Sequence, residues 1–257
     1  LLEDNFPPDL PSMRHLVINS IARTELEKRK GISSTLVPNV MNFSGNVPGI
    51  DGFNEDLRDS LGLKRGEVFF LQPTRVVPRK KIERSIELVS RLPEFSNKLF
   101  ITHKAGDEGF AYLRKLEEFA ESRGVNLRYE ADIFGSDRSP EPEKRYSLWD
   151  AYVHADFVTY PSEREGFGNA LLETILFRLP ALVNRYPVYR RDIAPLGFEF
   201  VETDGEITFA VTESSRDIIG SEELRERVVK HNFALGKENF SYQNVEEKLS
   251  KVISYFS

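Results

Sequence analysis

The chain has 257 residues, 40% of them apolar, with 35 Lys and Arg against 41 Asp and Glu and no cysteine. That is enough apolar material for a substantial core. A net charge of −6 argues against nucleic acid as a partner, since phosphate backbones need a clustered excess of Lys and Arg, and the lack of cysteine removes disulfides, thiolate metal sites and cysteine nucleophiles.

No run reaches the roughly 18 to 20 apolar residues of a membrane span. The opening LLEDNFPPDLP has neither signal-peptide nor transit-peptide character, so the chain is read as cytoplasmic. Residues 1–45 stand apart: HLVINSIARTELEKRKGI (15–32) predicts one strand and one helix. TLVPNVMNFSGNVPG (35–49) then reads as a Pro/Asn/Gly-rich connector of the kind that crosses between domains.

From Val68 onward apolar runs alternate with amphipathic stretches. Strands are predicted at 68–72, 98–103, 126–131, 156–160, 181–184 and 198–202, and helices at 79–91, 109–123, 146–154, 169–178, 188–194 and from Ser221 on. This alternation predicts an α/β fold, a Rossmann-like, doubly wound parallel sheet over 46–240. IFGSDRSPEPEKRY (133–146) reads as a surface loop. SYQNVEEKLSKVISYF (241–256) is an amphipathic helix whose Val245, Leu249, Val252 and Ile253 need a surface to cover.

The helix after Asn169 raises a chemical question. Leu171, Leu172, Ile175 and Leu176 form one face, with Ala170 and Phe177 nearly opposite, so the helix is buried around most of its circumference and yet carries Glu173. A buried carboxylate is costly unless compensated. Glu173 therefore needs a partner, in the protein or in a ligand.

Two strand ends offer anion chemistry. In GFGN (166–169) two glycines allow close backbone approach just before a helix N-terminus; an ordinary tight turn uses the same residues. In QPTRVVPRKK, the cations Arg75, Arg79, Lys80 and Lys81 oppose the dipole of the helix that follows, and either an anionic ligand or Glu83 and Glu87 along the helix would answer them. Together the two ends suit a diphosphate. The carboxylates Glu165 and Glu173 beside them suit the hydroxyls of a sugar or ribose, so a nucleotide sugar has all the required parts.

The setting YPSEREGFGNALLE, with Glu165, seven intervening residues and Glu173, resembles the E-x7-E motif of retaining GT-B glycosyltransferases of family 4 (glycosyl transferase group 1). TRVVPRKKIERSIEL resembles that family's R-x4-K segment, with Arg75 and Lys80 at the matching positions. VPNVMNF resembles its connector between two Rossmann-like domains. Thr74 and Lys81 stand where the family usually carries glycine.

The resemblance runs from about His15 to the end, and it implies the following roles. Glu165 binds donor-sugar hydroxyls and Glu173 the ribose. The N–H groups of the loop at Gly166, from Phe167, Gly168 and Asn169, hold the distal phosphate. Arg75 and Lys80 neutralise the diphosphate leaving group in place of a metal, so neither a metal nor another cofactor is expected. The base is placed near Ile133 and Phe134.

The family's N-terminal acceptor domain has no counterpart here. Residues 1 to about 40 resemble only its last strand and helix, and 241–257 the helix that crosses back to it. The chain is thus expected to be the donor-binding portion of a hexosyltransferase acting on a hydroxyl acceptor, with self-association through the C-terminal helix where that domain is missing. The alternatives are a nucleotide-sugar-binding module without turnover, and a GT-B relative such as a sugar-nucleotide epimerase or phosphorylase. A nicotinamide-dependent dehydrogenase is disfavoured, because no G-x-G-x-x-G follows the first strand.

Of the four histidines, only His103 falls at a strand end near the expected cleft; His15, His154 and His231 read as packing or surface residues, and Trp149 as core. No DxD pair or metal-ligand spacing of His and Asp is present.

Overall fold

The computed structural model describes residues 8–105, 110–140 and 142–256. Its centre is a six-stranded, all-parallel sheet: β3 (Val68–Gln72), β4 (Asn97–Ile101), β5 (Leu127–Tyr129), β8 (Phe157–Tyr160), β9 (Ala181–Asn184) and β10 (Val201–Thr203), in the spatial order β10-β9-β8-β3-β4-β5. Inner strands such as VFFLQ and FVTY are buried on both faces, which is why they are apolar without alternation. Adjacent residues therefore feed different cores: Phe69 and Leu71 enter one cluster, Phe70 the other.

Helices α3 (Ile82–Ser90), α4 (Ala111–Ser122), α5 (Leu148–His154) and α6 (Asn169–Leu176) connect the strands. The expected helix at 79–91 is split. A 3-10 turn, Pro78–Lys80, precedes Lys81, which takes a left-handed φ of 50°, the conformation for which glycine is the easy choice at this position. The expected start of α4, Gly109, lies outside the described residues. The helix expected at 188–194 is a π turn, Tyr189–Ile193, followed by a 3-10 turn, Ala194–Leu196.

Several elements were not expected from the sequence, among them one strand and two helices. Thr35 and Leu36, read as connector, belong to β2 (Ser34–Leu36), which pairs in parallel with β1 (His15–Val17) across α1 (Ser20–Lys30). A short α2 (Leu57–Ser60) follows. Helix α7 (Phe209–Gly220) turns Val211, Thr212, Ser215 and Ile218 inward. Its hydroxyls blur the apolar period, yet they fit the core because Thr212 and Ser215 donate to the carbonyls of Thr208 and Val211.

The loop at 133–146 is tied down at both ends. Its short strands β6 (Phe134–Gly135) and β7 (Tyr146–Ser147) pair with each other. Arg138 binds the buried Asp150 at 2.5 Å, and Lys144 binds Asp56 at 2.6 Å. The chain ends in α8 (Glu222–Phe240), which packs on α6 so closely that a Cβ on Gly236 would lie 2.6 Å from Ile175, and in α9 (Tyr242–Ile253), none of whose residues is buried. No described helix is long and apolar enough to cross a membrane.

Candidate active site

The sheet order reverses between β3 and β8, and a crevice opens where the loops leaving such neighbours diverge. The loops there are 73–80 and 161–168. They enclose a cavity of about 500 Å³ lined by Arg75, Lys80, Glu165, Gly166, Phe167, Gly168, Asn169 and Glu173 together.

Phe134 lines an adjoining cavity of about 280 Å³ with Gly135, Ser136 and Leu148, and Arg75 and His103 belong to both. Ile133 lines neither cavity. It is partly buried and packs against the same core cluster to which Phe134 belongs.

The backbone at the start of α6 is arranged as an anion site. The Gly166 carbonyl accepts from Asn19 Nδ2 at 2.6 Å, that of Phe167 from the Tyr186 hydroxyl at 2.7 Å, and that of Gly168 from the N–H groups of Leu171 and Leu172. Among the described residues the N–H groups of Phe167, Gly168 and Asn169 have no acceptor, and the helix begins without a side-chain cap. Occupied carbonyls and free N–H groups at a helix N-terminus attract an anion. Gly168 makes the turn at φ 122°.

Lys80 and Glu165 bring the two loops together. Their side chains, 9% and 10% exposed, form a close ion pair, and Arg79 stands 3.5 Å from the same carboxylate. Glu83 and Glu87 do not answer these cations: Glu83 accepts from the Tyr112 hydroxyl and Glu87 pairs with Arg91. Burial holds the Lys80 ammonium below its ordinary pKa, against the attraction of Glu165 and with the repulsion of Arg79 and Arg75. Arg75 is exposed and has no side-chain partner among the described residues, so its charge is available to the cavity.

Glu173 has protein partners and still faces the cavity. It accepts from the Tyr152 hydroxyl at 2.8 Å and from Trp149 Nε1 at 3.4 Å. Burial nevertheless raises its pKa above the usual carboxylate range, with those two bonds acting in opposition. Trp149 is not the core residue expected from the sequence. It is 39% exposed, with its ring edge-on to Phe177.

His103, at the carboxyl end of β4, carries an imidazole whose pKa is pushed down to about 4, first by burial and then by Lys80 and Arg75. The unfolded chain takes up this proton near pH 6.5 and the folded chain only near pH 4, so stability falls as pH drops through that window. Between pH 7 and pH 5 the wild type is expected to lose on the order of 2 kcal/mol more than His103→Gln. Urea midpoints at both pH values measure this, and equal losses in the two proteins would exclude His103 as the titrating group. Two further cavity residues, Asn39 and Tyr160, carry no local sign of their role in the sequence; only the fold brings them there.

The sheet order and the crevice define the Rossmann-like domain of a GT-B glycosyltransferase fold. The structure of Anabaena HepE in complex with UDP and glucose is similar to this chain with a TM-score of 0.68 at 15% identity, over 93% of this chain and 62% of that one. The chain belongs to the family described as glycosyl transferases group 1, which matches residues 53–235.

It is 35% identical to mannosylglucosylglycerate synthase of Thermotoga maritima, over 98% of this chain and 64% of that protein. It is 39% identical to the Petrotoga mobilis protein of the same name, over 78% of this chain and 50% of that one. The chain thus spans one half to under two thirds of the length of these relatives.

Proposed function

We propose that this chain is the donor-binding portion of a retaining, metal-independent hexosyltransferase that takes its sugar from a nucleoside diphosphate. The observation that carries the reading is the α6 N-terminus. Three successive carbonyls there are held by partners while three N–H groups stay free, in the same cavity as Arg75 and Lys80.

Negative charge developing on a departing diphosphate would meet these fixed donors and cations, which need no reorganisation as the bond breaks. Glu165 and Glu173 line the same cavity and supply acceptors for sugar and ribose hydroxyls. Phe134 and Gly135, in the adjoining cavity, form a wall for the base. HepE, with its UDP and glucose, supports the ligand class, and the relatives' name supports a hexose as the group moved onto a small hydroxylated acceptor.

Residues 1–45 and 241–257 would then adjoin an acceptor domain. Leu16 on β1 and Phe256 after α9, 45% and 58% exposed, are apolar surface for such a partner to cover.

Calorimetric titration with UDP, GDP, ADP and their hexose conjugates, in chelator, tests the reading. One nucleotide is expected to bind, and Glu173→Ala to weaken it by about 1–3 kcal/mol, the cost of a lost buried hydrogen bond. Unchanged affinity in the variant, or no binding by any nucleotide, would overturn the proposal.

A further inference from the structure

The anion loop is held in part by residues outside both motifs. Asn19 caps α1 by accepting from Ala22 N–H at 2.7 Å and spends its amide on the Gly166 carbonyl. Asn39, three residues after β2, donates from Nδ2 to Asn169 Oδ1 at 2.5 Å, and both asparagines line the cavity.

The small β1-α1-β2 unit that carries Asn19 and leads to Asn39 is itself docked on the domain. Ser20 N–H donates to Asp192 at 2.7 Å, and Arg191 donates to Thr24 at 3.0 Å. The two asparagines therefore reach the loop from a fixed support.

A primary amide has one acceptor end and one donor end. With Oδ1 of Asn169 engaged by Asn39, the end left for a ligand is the NH₂ group, a pure donor beside the free N–H groups of the helix start. Were the amide reversed, its oxygen would face the anion instead and repel it.

We propose that Asn39 is a positioning residue for the distal phosphate of the donor, acting through the side-chain orientation of Asn169. This rests on the diphosphate reading of the cavity given above. Asn39 does not itself touch the phosphate; it sets which end of Asn169 does.

The test is a double-mutant cycle on the full chain, read by calorimetry with UDP and GDP as diphosphates and UMP and GMP as monophosphates. Asn39→Ala is expected to weaken the preferred diphosphate about tenfold, in the range of a charge-assisted hydrogen bond, and to leave the matching monophosphate unchanged. Asn39→Asp, which cannot donate to Asn169, is expected to weaken it further. In an Asn169→Ala background, Asn39→Ala should add nothing.

Melting temperatures identify any variant that fails to fold, and Asn39→Leu, close to Asn in size and without a donor, then takes its place. Equal loss for diphosphate and monophosphate, additive losses in the cycle, or no loss at all would each overturn the role of Asn39. If Arg75→Ala and Glu173→Ala leave diphosphate binding intact, or the wild type binds no nucleotide, the underlying diphosphate reading is what fails.

Discussion

Gly168→Ala is expected to destabilise the fold by about 2–5 kcal/mol, combining overpacking with backbone strain, and to remove anion binding. The φ of 122° at Gly168 lies in a region L-residues rarely enter. A Cβ there would also stand 2.6 Å from the Tyr186 hydroxyl and 3.3 Å from that of Tyr160.

Tyr186 cannot swing aside. Its ring is 1% exposed, lies between Tyr160 and Tyr189 with centroids 6.1 and 5.7 Å away, and its hydroxyl holds the Phe167 carbonyl. The loop must therefore move, and the free N–H groups move with it. Gly166→Ala is the control: its Cβ meets only Ile18, at 3.5 Å, an ordinary contact. Adding Tyr186→Phe to Gly168→Ala should recover part of the lost stability, because the 2.6 Å contact goes, while the strained φ and the tight Tyr160 contact stay and the hydrogen bond to the Phe167 carbonyl is lost. Urea denaturation of the three variants measures this, and a Gly168→Ala protein of wild-type stability and affinity would show that the loop tolerates a side chain.

What the sequence made legible follows from burial. β3 and β8 were readable as unbroken apolar runs because neighbours cover both faces, and the motif residues on the loops after them fall together because a doubly wound sheet brings those two strand ends side by side. Glu173 was noticeable as a charge on an otherwise apolar helix. Its partners Tyr152 and Trp149, 21 and 24 residues away, were not.

Long-range pairing explains the other omissions. Lys80 and Glu165 are 85 residues apart and Asn39 and Asn169 are 130 apart, so local periodicity carries no trace of either contact. The charges of 133–146 looked like a solvated loop, yet Arg138 and Lys144 use theirs to anchor it to Asp150, Asp51 and Asp56. In α7 the hydroxyls that satisfy themselves on preceding carbonyls hid a buried face.

The two ends of the Lys80–Glu165 pair are expected to respond in opposite ways to substitution. Lys80→Met removes a cation from the diphosphate site and should weaken nucleoside diphosphate binding by about 1.5–3 kcal/mol, the range for a hydrogen bond to a charged group. Glu165 keeps Arg79 as a partner in that variant.

Glu165→Gln leaves Lys80 buried near Arg79 and Arg75, without its carboxylate. Breaking a buried pair in this way costs about 3–5 kcal/mol of stability when the stranded charge cannot escape. Lys80 can shed part of that cost by losing its proton. With its pKa depressed further below the unfolded value, the penalty is largest near neutral pH and fades as pH rises towards the ordinary lysine range.

A bound diphosphate supplies the missing negative charge. Glu165→Gln should therefore gain more thermal stability from UDP or GDP than the wild type does, and bind it at least as tightly, while losing the added affinity contributed by the hexose of the conjugate. Thermal shifts and titrations with each nucleotide and its sugar conjugate separate these effects. Parallel losses of nucleotide affinity in Lys80→Met and Glu165→Gln would mean that the pair acts as one structural unit, with no division of labour between leaving group and sugar.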